Sequence, residues 1–293
     1  MENGNSAHAD SIIIHTEVQV ALEADMWTKI RQEAARDVID EPLLSKYLHR
    51  FIISHASLGE ALAFLLATKL AKKTDLDFDV LYNLFLNALR SSAKLRQAVC
   101  ADIKAVKDRD PACLSYCHCM LNYKGFQACE AYRIFHHLWG QGRQALACLL
   151  QSRVAEVFAV DIHPAAKIGK GVLFDHATGL VIGETAVVGD NVAILHGVTL
   201  GGTGKQGGDR HPKIGDGVLI GAGASIIGNI KVGEGAKVGA GAVVLMDVPP
   251  RTTAVGCPAR LVGSRTKPST LKEIPSDTMD HVSFVTEWSD YVI

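Results

Sequence analysis

The sequence predicts an α+β chain with an all-helical domain over residues 1–158, a parallel β-helix of hexapeptide repeats over 159–263, and a flexible tail over 264–293. Three observations carry this. Apolar residues recur at helical spacing through the first half, a branched apolar residue recurs at every sixth position through most of the second, and the tail is polar and aperiodic.

The helical reading runs from Glu17 to about Phe158. Leu58, Ala61, Leu62, Leu65 and Leu66 mark one stripe, and Leu81, Leu84, Phe85, Ala88 and Leu89 mark another. Stripes of this kind pack into a bundle or an oligomer. Asp40, Glu41 and Pro42 predict a stop and restart, and Pro111 after Asp110 predicts a further helix start, because proline is tolerated only in a first turn. The richest apolar run, Ala61 to Leu70, is broken by Thr68 and Lys69 and falls short of the ~20 residues that cross a bilayer.

After Val160 the apolar positions are Ile162 and Ile168, then Ile182, Val188, Ile194 and Leu200, then Ile214, Ile220, Ile226, Val232, Val238 and Val244. Glycine is too frequent here for helix, at about 1 kcal/mol for each interior position. Each six-residue unit supplies one short strand and one tight corner, and three units close a triangular coil whose stacking buries the repeated residue. The phase slips by two residues between Phe174 and Ile182, and a glycine-rich insertion, Gly201 to Pro212, interrupts the column. Insertions in a solenoid become loops on one face, often the binding face. The column is expected to end near Val248, Pro249 and Pro250.

Bulk properties narrow the function. A length of 293 residues suits two cores, and 48% hydrophobic with 21% charged residues is an ordinary globular composition. A net charge of -1 leaves no basic surplus for nucleic acid. The acidic residues Glu2 and Asp10, with no nearby Arg or Lys, favour the cytosol over a secretory or organellar leader. Cys113, Cys117 and Cys119 with His118 match no paired zinc knuckle, so core thiols and no metal are expected.

The histidines at the two interruptions stand out. His176 lies in Asp175-His176-Ala177-Thr178-Gly179 and His211 in Asp209-Arg210-His211-Pro212. A hydroxyl nucleophile needs a base at neutral pH, and imidazole, with its unperturbed pKa of ~6.5, suits that role. A carboxylate on the other ring nitrogen would orient it. Asp161 is the candidate, because it precedes Asp175 by fourteen residues, near the expected length of a coil. Gly201 to Lys205 resembles an anion cradle only weakly and is no P-loop.

Longer strings are more specific: DRDPA ending at Ala112, YRIFHHLW at Tyr132 to Trp139, DIHPAAKIG at Asp161 to Gly169, DHATG at Asp175 to Gly179, GGTGKQGGDRHPKIG at Gly201 to Gly215, and VGCPARLVG at Val255 to Gly263. On these the chain resembles the serine acetyltransferase family, and is similar to its plant cytosolic form. The resemblance implies a left-handed β-helix, trimers paired into hexamers through the helical domains, and transfer of an acetyl group from acetyl-coenzyme A to L-serine, the committed step of cysteine biosynthesis. It implies a dyad of His176 and Asp161, with serine held by Asp110 and Asp175 at its ammonium and by Arg210 and His211 at its carboxylate. It implies coenzyme A contacts at Gly202, Gly204, Ala222 and Ala240, and feedback inhibition by cysteine. It also implies a tail whose Tyr291, Val292 and Ile293 enter the active site of O-acetylserine sulfhydrylase.

Three other readings compete. The acceptor could be a sugar or another amine; the chain could be a zinc enzyme using His176, His196 and His211; or it could chiefly regulate the sulfhydrylase. The pairing of acidic residues with Arg210 and His211 favours an amino-acid acceptor.

Overall fold

The computed structural model describes residues 4–204, 207–262 and 269–282. The helical part opens with α1 (Gly4–Asp40), whose later turns bury Trp27, Ile30 and Ala34. The expected stop and restart follows: Glu41 caps a 3₁₀ turn over Pro42–Leu44, which leads into α2 (Ser45–Leu48) and a π-helical turn over His49–Ile53. Next come α3 (Leu58–Leu70), α4 (Phe78–Ser91), α5 (Ala93–Arg109), α6 (Tyr116–Asn122), α7 (Lys124–Gly140) and α8 (Gln144–Phe158). Side chains of Ser57, Asp77, Ser92 and Ser115 accept from backbone N–H groups at the starts of α3 to α6, satisfying donors that a helix leaves unpaired. The stripe residues Leu58, Leu62, Leu65, Leu81, Phe85 and Leu89 are buried together.

Pro111 does not start a helix. Asp110 Oδ1 accepts from Ala112 N at 2.8 Å and Asp110 O from Cys113 N at 3.0 Å, so this segment is a turn built on the aspartate, and α6 begins only after Ser115.

The repeat forms a three-faced parallel prism. Its strands are β1 (Val160–Ile162), β2 (Lys167–Ile168), β3 (Leu173–Phe174), β4 (Leu180–Ile182), β5 (Val187–Val188), β6 (Ala193–Ile194), β7 (Thr199–Gly201), β8 (Lys213–Ile214), β9 (Leu219–Ile220), β10 (Ser225–Ile227), β11 (Lys231–Val232), β12 (Lys237–Val238), β13 (Val243–Val244), β14 (Thr253–Val255) and β15 (Arg260–Leu261). The first face orders β1-β4-β7-β10-β13, the second β2-β5-β8-β11, and the third β3-β6-β9-β12-β14-β15. Ile182, Ile194, Leu200, Ile220, Ile226, Val238 and Val244 are buried in the column, each worth about 1.5–3 kcal/mol on burial.

Coil length varies, and the variation builds the site. Val181 pairs with Thr199, eighteen residues on, the regular coil of three hexapeptides. The first coil is longer: Val160 pairs with Leu180, twenty residues on. The coil holding the glycine-rich insertion spans twenty-six, from Val187 to Lys213.

The prism runs one rung past Val248. That residue bridges to Val232, and β14 then pairs with β12 before β15 turns back antiparallel across it. At the other end α8 leads through Ala159, left-handed at φ 55°, straight into β1, while α7 packs on β3. Within the tail, residues 269–282 pack on the prism and on α5. Arg109 Nη2 donates to Asp277 at 3.3 Å, and the buried Lys237 donates to Asp280 at 2.9 Å. Tyr291, Val292 and Ile293 lie outside the described residues.

Helices and prism are joined by a buried polar clamp. Arg133 Nε donates to Asp102 Oδ2 at 2.6 Å, Arg133 Nη2 to Gly169 O at 2.6 Å, and Val172 N to Asp102 Oδ1 at 2.8 Å. Glu130 beside them is fully buried with neither carboxyl oxygen hydrogen-bonded. Burial, then the Asp102 charge, pushes its pKa well above the carboxylate range, which favours the uncharged form, while Arg133 Nε at 3.8 Å opposes the shift. Asp102, Cys129 and Glu130 sit close enough to hold a metal, but the Arg133 guanidinium already occupies the anion among them.

Candidate active site

The edge between the third and first faces carries residues 175–179, 195–198, 221–224 and 239–242. Its regular corners are a ladder: Gly197, Gly223 and Gly241, all near φ 67–69°, donate to Thr178 O, His196 O and Ala222 O at 2.8–2.9 Å. The lowest corner holds the two extra residues of the first coil. His176 and Ala177 both take left-handed backbone (φ 57° and 58°), which throws the imidazole clear of the prism, 74% exposed. Asp175 Oδ1 lies 3.7 Å from His176 Nε2, and the His196 ring sits edge-on at 5.7 Å. Above them the edge continues through the small side chains of Ala222 and Ala240.

Asp110 is tied to this edge through the start of α7. Tyr123 Oη donates to Asp110 Oδ2 at 2.8 Å, and burial first, then that carboxylate, raises the phenol pKa. Lys124 Nζ donates to Thr178 Oγ1. Gly125 packs so tightly on Phe174 that a Cβ would overlap the Phe174 carbonyl.

The edge between the first and second faces carries the other half of the predicted set. Arg210 Nη2 donates to Glu184 Oε2 at 2.7 Å. His211 is 7% exposed, and its ring fills the space left by Gly183 and Gly202. Burial, then Arg210, lowers its pKa, so the ring is neutral at pH 7. Gly204, at φ 128°, stands open in the same loop. Asp161 belongs with this group: it accepts from Gln151 Nε2 at 2.7 Å and lies near enough to His163 to raise that ring's pKa, against a larger lowering by burial.

The expected pairing of Asp161 with His176 is therefore not formed within the chain. The first coil is twenty residues, not fourteen, so Asp161 lies in register with Val181, and the carboxylate within 4 Å of His176 is that of Asp175. The same separation parts His211 from His176 and His196, so the three do not come together within one chain. Cys117 and Cys119 are buried; burial pushes Cys117 up to about 12 and Cys119 well above its ordinary value, which keeps both as neutral thiols.

Residues 26–131 match the family of serine acetyltransferase N-terminal domains, and residues 211–245 match the bacterial transferase hexapeptide family of six repeats. Serine acetyltransferase 5 of Arabidopsis thaliana is 62% identical over 274 residues, covering 93% of this chain and 88% of that protein. The chain belongs to the serine acetyltransferase family. Probable serine acetyltransferase 1 of Oryza sativa subsp. japonica is 61% identical over 93% of this chain and 88% of its own length. Among solved structures, soybean serine acetyltransferase complexed with serine superposes with a TM-score of 0.80 at 66% identity, over 82% of this chain and 99% of that one. A serine acetyltransferase in complex with cysteine gives 0.84 at 47% identity, over 92% and 100%.

Sequence reasoning in serine acetyltransferase terms named the residues of both edges but missed their supports. Tyr123, Thr185, Glu184 and Gln151 carry no pattern of their own. Only their position beside Lys124, beside Gly183 or midway along α8 gave a signal.

Proposed function

We propose that the chain transfers the acetyl group of acetyl-coenzyme A to the hydroxyl of L-serine by direct attack, with His176 as general base. The imidazole takes the serine hydroxyl proton as the oxygen adds to the thioester carbonyl, then returns it to the departing coenzyme A sulfur. Asp161 orients and charges that ring, Asp110 and Asp175 hold the serine ammonium, and Arg210 and His211 hold its carboxylate. Coenzyme A lies along Ala222 and Ala240 and against Gly202 and Gly204. Cysteine, with a thiol in place of the hydroxyl, competes for the same clamp.

One observation carries this reading: acidic residues with an exposed imidazole on one prism edge, and the Arg210 cation with the neutral donor His211 and Asp161 at the next. A zwitterion needs both halves. We therefore infer that the working unit is a homo-oligomer in which the loop-bearing edge of one copy meets the His176 edge of another, giving three equivalent sites around a trimer, with hexamers formed through the helical part. The tail ending in Tyr291, Val292 and Ile293 serves a separate role as the docking peptide for O-acetylserine sulfhydrylase, through its terminal carboxylate.

The test is thiol release from acetyl-coenzyme A with serine. His176→Ala is expected to lower kcat by at least about a hundredfold, and Asp161→Ala by at least about tenfold, at little change in acetyl-coenzyme A KM. Parent-like rates in both variants overturn the mechanism.

A further inference from the structure

Thr185, in the corner after β4, makes contacts that no role assigned above explains. Its Oγ1 accepts from Arg210 N at 3.0 Å and from His211 N at 3.1 Å, so both backbone donors of the Arg-His pair end on one hydroxyl. That leaves its own proton to be donated, and His211 Nδ1 lies 2.9 Å away. Thr185 N–H points at the same nitrogen from 3.2 Å. A backbone N–H can only donate, so Nδ1 must present its lone pair, and the ring proton of the neutral imidazole is on Nε2. Nε2 in turn faces the gap between Gly183 and Gly202, where glycine is needed because a Cβ at Gly183 would overlap the ring.

We infer that Thr185 is a positioning residue for the acceptor: its hydroxyl and amide lock His211 as the Nε2–H tautomer, so that this histidine is a hydrogen-bond donor aimed at the bound amino acid's carboxylate and not a second base. The inference rests on the reading that Arg210 and His211 hold that carboxylate. It also divides labour between the two imidazoles. His176 is exposed and, among the described residues, has no donor fixed on either nitrogen, so it is free to take a proton, whereas His211 has its only lone pair already engaged.

Kinetics on the full-length protein test it. Thr185→Val removes the proton aimed at Nδ1 and the acceptor for two amides; the serine KM is expected to rise about tenfold while acetyl-coenzyme A KM and kcat stay within about threefold. Thr185→Ser restores the hydroxyl and is expected to return the serine KM to within about twofold of the parent. In a His211→Ala background, Thr185→Val should raise the serine KM by much less than in the parent, because the ring is gone and only its hold on the Arg210 and residue-211 amides is left to lose. Fully additive effects in that double variant, or a Thr185→Val enzyme with parental serine KM, overturn the positioning role of Thr185. A His211→Ala enzyme with parental serine KM instead overturns the carboxylate assignment beneath it. Thermal melting of each variant identifies loss of fold; if Thr185→Val unfolds, failure of Thr185→Ser to keep the parental serine KM refutes the proposal by itself.

Discussion

Asp161 lies in register with Val181, and that one pairing moves its carboxylate off the edge that presents His176. The two members of the proposed dyad meet only if they come from different copies. Mixing two inactive chains, His176→Ala and Asp161→Ala, is then expected to restore activity, because some contacts bring an intact His176 edge against an intact Asp161. With random assembly of equal amounts, about a quarter of the sites are whole. Refolding the mixture and measuring thiol release checks this; no recovery above either parent variant places both groups in one copy.

Tyr123 holds Asp110 by a 2.8 Å hydrogen bond from its hydroxyl, and among the described residues the carboxylate otherwise accepts from its own turn. Tyr123→Phe keeps the ring and removes that donor. The serine KM is expected to rise by about tenfold, the scale of one hydrogen bond to a charged group, with acetyl-coenzyme A KM unaffected.

Stability should fall with acid before the carboxylates titrate. Burial is the largest cause lowering the pKa of each of His136, His163 and His211 below 6.5. Between those lowered values and 6.5 the unfolded chain binds protons that the folded chain refuses, so their contribution to stability is complete above about pH 6.5 and is lost as pH falls through that window. A melting temperature measured from pH 7.5 to 5.5 is expected to decline, and His136→Asn to make the decline shallower. A flat profile in the parent contradicts the burial of these rings.

The clamp between helices and prism gives two opposite expectations for neighbouring acids. Asp102→Ala leaves Arg133 buried without its closest anion and is expected to lose about 3–5 kcal/mol. Glu130→Gln puts an isosteric amide where burial favours the uncharged acid and is expected to shift stability by less than about 1 kcal/mol. Urea denaturation of the two variants measures both.

Periodicity carried most of the architecture. Ile182, Ile194, Ile220 and Val238 announced a buried column because each must meet its counterpart a coil away, and glycine at the corners ruled out helix. What periodicity hides is the length of an irregular coil: the two extra residues at His176 and Ala177 read as a phase slip, but only the hydrogen-bonded register shows that they lengthen the coil to twenty and send Asp161 under Val181. The last rung escaped for a related reason, since Pro249 and Pro250 look like terminators, yet they form a corner before Thr253. Docking of Asp277 on Arg109 lay beyond any local pattern, because the partners are 168 residues apart.

Stacked parallel strands have no intrinsic last member, and an uncovered final rung would accept a strand from any passing chain. Here β15 pairs with β14 in the opposite sense, while α8 and α7 pack on β1 and β3 of the first coil, so the parallel register is interrupted at each end. The molecule thereby keeps the self-complementary geometry of a fibre while its two ends no longer match one another.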